Sequence, residues 1–89
     1  MSTKYIQNKK VIQSKIGEEV VMLDMDSGFY FGLNSVASTI WGKLENPISF
    51  EEMINELLKE YKIDQETCEN DTMVFLNQLL EKNIIKQVL

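Results

Sequence analysis

The hydrophobic period of this chain changes at Asn34, and that change divides the sequence into a strand-forming part and a helix-forming part. Upstream, "KVIQSKI" at residues 10–16 and "EEVVMLDM" at residues 18–25 are short, rich in β-branched or apolar residues, and separated by Gly17. "DSG" at residues 26–28 is a turn signal, because glycine supplies the positive φ that hairpin turns need. "FYFGL" at residues 29–33 then reads as the returning strand, completing a three-stranded antiparallel meander.

Downstream the spacing is helical, and each of three helices carries its own start signal. Asn34 caps the first, whose Val36, Ala37, Ile40, Trp41 and Leu44 recur on one face until "ENP" stops it at Pro47. Ser49 and Glu52 have capping-box spacing at the start of the second, with Ile48 and Met53 as a hydrophobic staple. Asp64 caps the third, which is expected to run to Lys82 or Asn83. Its apolar surface is wider than one stripe: Cys68, Thr72, Phe75 and Leu79 follow one line, and Met73, Leu76 and Leu80 an adjacent one. A stripe of that width calls for two neighbours. The closing "IIKQVL" reads as a last strand or as an extension packed on the core.

Three strands followed by three helices describe an α+β domain, one domain over residues 1–89, with the helices gathered on one side of a small sheet. The outer edge of the third strand then lies beside the third helix with one row of backbone groups unpaired. Proteins usually blunt such edges with charge or proline. Residues 29–33 contain neither.

Inventory narrows the function. The chain has 89 residues, no histidine and one cysteine, so Ser-His-Asp and Cys-His catalysis, an internal disulfide and a Cys/His zinc site are all excluded. Cys68 falls inside the third helix as a small buried residue rather than in a reactive loop. Asp24 and Asp26 in "LDMDSG" look like the first half of a calcium loop but lack the remaining ligands, and no phosphate cradle follows Gly28 or Gly32. Glu51, Glu52, Glu56 and Glu60 form the polar face of the second helix. No cofactor or metal is implied. A net charge of -5 opposes binding to a phosphate backbone, so nucleic acid is not an expected partner. The N-terminal "MSTKYIQNKKVIQ" has no signal-peptide apolar run and nothing approaches a membrane span, so the expected compartment is the cytoplasm.

"LDMDSGFYFGLNSVASTIW" at residues 23–41 resembles the characteristic segment of PqqD-like proteins, in which a strand ending L-D precedes G-x-Y-x-x-L-N, a small residue, and I-W. "DTMVFLNQLLEKNII" at residues 71–85 is similar to the family's third-helix segment. The likeness covers most of the chain after Gly17 and departs from the pattern at Thr72, where an aliphatic residue is more usual, and in the N-terminal segment. The resemblance implies a winged helix-turn-helix-like fold and a role as the peptide-recognition element for ribosomally made, post-translationally modified peptides, with no catalysis of its own. It implies that a precursor's leader peptide adds as an antiparallel strand to the third strand and lies in the groove with the third helix. Carried onto this sequence, the peptide-binding residues are Phe29, Tyr30, Phe31, Gly32 and Leu33 on the strand and Cys68, Asp71, Thr72 and Phe75 on the helix.

A chain of this style is most similar to the stand-alone leader-binding proteins of lasso-peptide pathways, whose partners are a leader protease and a cyclase. The alternative within the family is a PqqD-type chaperone for a radical enzyme; outside it, a winged-helix DNA-binding regulator or a self-associating module. A monomer or weak dimer is expected. Phe29 and Phe31 face one side of the third strand and Tyr30 the other, and the alternation alone leaves open which side is buried. Gly32 permits a bend or a close backbone approach. Asp71 reads either as a solvated carboxylate or as an acceptor for a peptide amide or basic side chain.

Overall fold

The structure is a computed structural model and describes residues 3–17, 19–28 and 30–89. In chain order the elements are β1 (Lys4–Gln7), β2 (Val11–Ile16), β3 (Glu19–Asp24), β4 (Tyr30–Leu33), α1 (Ser35–Lys43), β5 (Ile48–Ser49), α2 (Phe50–Glu60), α3 (Gln65–Glu81) and β6 (Ile85–Val88). Strands β2, β3 and β4 form the expected meander, with Met22 opposite both Gln13 and Phe31. Gly17 and Gly28 both adopt positive φ, the conformation their turns require.

A second antiparallel sheet, in the order β5-β1-β6, was not anticipated as a sheet. β1 has four residues, and its partners lie at Ile48 and Ser49 on one side and at Ile85 to Val88 on the other. Such pairing leaves no local signature, since each strand is too short to display a period of its own. The closing segment is therefore a strand, stitched to the chain's first element.

The three helix caps form as read. Asn34, Ser49 and Asp64 each accept a hydrogen bond from a backbone amide three residues on, and Glu52 closes the capping box by accepting from the Ser49 amide. α1 stops at Lys43, earlier than Pro47, because the Leu44 and Glu45 amides donate to Trp41 and Gly42 and tighten the last turn. α3 ends in a left-handed Asn83 at φ 58, with the Asn83 amide donating to the Leu80 carbonyl and the Ile84 amide to Leu79.

One core joins both sheets to all three helices. Met22, Leu44, Met53, Leu57, Leu76, Ile84 and Ile85 are fully buried in it, each contributing about 1.5–3 kcal/mol by removal from water. Trp41 lies in the same core and ties two strands to α1: its indole N–H donates to Gln13 of β2, and its carbonyl accepts from the Gln7 side chain of β1. Between α1 and α2, Lys43 Nζ lies 3.0 Å from both Glu56 and Glu60. Val36, read as part of the α1 core face, is instead exposed.

Two side chains hold β4 in place. The Ser38 hydroxyl accepts from the Val20 amide at 3.1 Å and donates to the Leu33 carbonyl at 3.2 Å, bridging β3 and β4 where the ladder ends. At the other end, the Asp24 carboxylate is buried rather than solvated and accepts from the Ser27 hydroxyl and the Asp26 amide, with Lys10 Nζ at 3.4 Å. Burial alone would raise this carboxyl; the Ser27 hydroxyl, the Asp26 amide and the Lys10 ammonium outweigh it and hold it below its ordinary value of 3.8. The two aspartates thus build the turn that launches β4.

Candidate functional site

β4 is an edge strand: among the described residues it pairs with β3 and with nothing on its other side. Leu33 turns its carbonyl toward β3, where Ser38 receives it. Because N–H and C=O groups alternate sides along an antiparallel strand, Phe31 shares that direction while Tyr30 and Gly32 direct theirs outward. The open edge therefore offers the backbone donors and acceptors of two residues.

Side chains alternate as well, and the structure answers which aromatic face is buried. Phe31 is half-buried and packs against the core with Leu33, which is buried, whereas Tyr30 is 72% exposed on the opposite face. Tyr30 thus brings its backbone to the edge while its ring points away from the helices. Apart from Gly32 and its two chain neighbours, no atom of the described residues lies within 4 Å of where a Gly32 Cβ would stand, so that face of the backbone is open. Phe29 lies outside the described residues.

α3 runs beside this edge. At its C-terminal end Lys82 Nζ sits 5.4 Å from the centre of the Phe31 ring, a cation–π distance. Toward its N-terminal end a cavity of about 560 Å³ opens between α1, α3 and the segment that joins α2 to α3. Cys68, Asp71, Thr72 and Phe75 all line it, as does Asn34, the residue that follows β4. Cys68 and Thr72 are buried in its floor, Phe75 is half-buried, and Asp71 is exposed at its mouth. Phe75 serves both the core and the cavity, because it packs against the core cluster and also lines the open space.

The cavity also recruits residues that the sequence reading assigned elsewhere or passed over. Val36, Ala37 and Ile40 form its α1 wall, and Tyr61, Lys62 and Ile63 its rim on the other side. Tyr61 is anchored there by a 2.9 Å hydrogen bond between its hydroxyl and that of Thr39. Val36 and Ile63 had a visible signal, since both are large apolar residues at the first turn or the boundary of a helix; their exposure depends on the angle between helices, which periodicity does not encode. Chemically the site is an apolar cleft with one acidic and one basic side chain at its mouth, and it reaches Asn34, the residue next to the open strand. Among the described residues no group of three or more His, Cys, Asp or Glu side chains could hold a metal ion, and no helix is long and apolar enough to cross a membrane.

The family model for coenzyme PQQ synthesis protein D (PqqD) matches residues 19–85. Among solved structures, TbiB1 in complex with the TbiA(beta) leader peptide is 36% identical over 91% of this chain and 94% of its own, with a TM-score of 0.83. A lasso peptide synthetase B1 complexed with the leader peptide is 23% identical, covering 92% of this chain and 96% of its own with a TM-score of 0.80; at that identity the likeness speaks to the fold. No curated protein matches. The family match spans β3 to the start of β6, the stretch that contains β4, the cavity and α3, and the chain belongs to the PqqD family.

Proposed function

We propose that this protein is a non-catalytic adaptor that binds the leader peptide of a ribosomally synthesised precursor and presents it to processing enzymes. The leader adds to β4 as an antiparallel strand and lies in the groove between β4 and α3. One observation carries the reading: an unpaired strand edge lies beside a helix whose flank opens into an apolar cavity. An added strand gains generic backbone hydrogen bonds at the edge, each worth about 0.5–1.5 kcal/mol net, and pockets beside the edge choose among side chains. The 36%-identical relative is described as a leader-peptide complex, which supports the same ligand class here.

In this reading residues 1–89 form a single peptide-recognition domain of winged helix-turn-helix type, with β2 to β4 as the wing. Tyr30 and Gly32 supply the edge with Phe31 and Leu33 beneath it, and Cys68, Asp71, Thr72 and Phe75 supply the pocket. The downstream partners in this reading are a leader protease and a cyclase, in the cytoplasm; a radical enzyme of the PqqD type is the alternative. A DNA-binding role is disfavoured by charge: α3 exposes Glu66, Asp71 and Glu81 where a groove-reading helix needs Lys or Arg.

The test is a titration of isotope-labelled protein with the leader segment of the precursor encoded beside its gene. Amide shifts concentrated on β4 and α3 are the expected result; saturable shifts confined to β1, β5 and β6 overturn the groove.

A further inference from the structure

Asp71, Phe75, Gln78 and Lys82 fall at i, i+4, i+7 and i+11, a single line along α3. The two ends of that line carry opposite charge, and each end lies toward one end of β4. Asp71 shares the cavity lining with Asn34, just past the end of β4, and Lys82 lies over Phe31 near its start. Asp64, Glu66 and Glu69 add negative charge to the Asp71 half of the helix, while among the described residues Lys62 across the cavity is the one basic side chain lining it.

We propose that this charge order selects the leader peptide: a basic side chain toward its N-terminus, and an acidic one further along. The proposal rests on strand addition to β4 and deepens it. β4 runs from Tyr30 to Leu33, so an antiparallel guest enters at the Leu33 and Asn34 end, beside Asp71, and leaves past Phe31 and Lys82. Eleven helical residues at about 1.5 Å each span about 16 Å, which about five strand residues at about 3.3 Å cover. Only alternate guest residues face α3, so the spacing that serves both charges is four or six, and a spacing of five turns one of them to the outer face. Each partly exposed ion pair alters affinity about two- to fivefold, so exchanging the two guest charges lowers affinity about tenfold.

The experiment selects an mRNA-displayed library of random peptides on the full chain, and in parallel on the double variant Asp71→Lys with Lys82→Glu. Peptides that also bind a Tyr30→Pro variant are discarded, which keeps those that use the β4 edge. Wild-type winners are expected to carry Lys or Arg four or six residues before Asp or Glu, and winners on a correctly folded double variant the reverse order. Edge-dependent winners without a charge order on the wild type overturn this inference and leave leader binding intact. A library that yields no edge-dependent binder overturns both.

Discussion

Proline scanning of β4 separates the edge that faces β3 from the edge that faces solvent. Leu33 and Phe31 spend their backbone groups on β3, and Tyr30 and Gly32 direct theirs outward. In Tyr30→Pro the lost N–H is therefore one that the folded protein does not use, and a ring that is 72% exposed carries little packing. Fold stability is expected to change by less than about 1 kcal/mol. Peptide affinity loses one backbone hydrogen bond and leaves a guest carbonyl without its donor, together about 1–3 kcal/mol, or about five- to hundredfold in Kd. Phe31→Pro does the opposite: it removes a ladder donor toward β3 and a half-buried ring packed on the core, costing about 3 kcal/mol or more. Urea unfolding measures the first quantity and fluorescence anisotropy with a labelled leader the second. Tyr30→Ala separates loss of the ring from loss of the donor, and retains most of the affinity. If Tyr30→Pro unfolds the protein as severely as Phe31→Pro, or binds peptide as wild type does, the assignment of the outward edge is wrong.

Two further outcomes follow from the supports of β4. Ser38→Ala leaves the Val20 amide and the Leu33 carbonyl without their shared hydroxyl and is expected to cost about 1–3 kcal/mol by chemical denaturation, with the largest amide shifts at the end of β4. Acid lability traces to Asp24 and to Glu52, whose carboxyl the Ser49 amide and hydroxyl hold below its ordinary 4.5. A carboxyl lowered in the folded state contributes stability above its unfolded pKa and loses it as pH falls through the folded value. Stability is therefore flat above about pH 5 and declines below about pH 4. Asp24→Asn makes that decline shallower while weakening the protein at neutral pH, as urea melts at several pH values measure.

Local chemistry made much of this fold legible. The change of period at Asn34, the three N-caps and the glycines of the two hairpin turns each act within a few residues, and each appears where the residues indicate. The second sheet was illegible for the converse reason: Tyr5 pairs with Ile48 and Gln87, partners far away in the chain, over strands of two to four residues. At the site, the four α3 residues share one cavity because helical spacing placed them on adjoining lines, and the same rule puts Lys82 in register with Asp71. Val36, Tyr61 and Ile63 could not be assigned to that cavity from sequence, since it exists only once α1 and α3 splay apart. Asp24 shows the remaining gap. Its neighbours in sequence mark a turn, and only the fold brings Lys10 against it and buries it.

Strand addition makes one claim that no other binding mode shares: the guest consumes the outward backbone donors of β4. Hydrogen–deuterium exchange read by NMR, residue by residue, with and without saturating leader peptide, measures it directly. The Tyr30 and Gly32 amides are expected to exchange fast in the free protein and to slow by about tenfold or more on binding, while the Phe31 and Leu33 amides, already turned toward β3, change far less. Peptide that saturates the protein yet leaves Tyr30 and Gly32 exchanging at their free rates contradicts strand addition at β4.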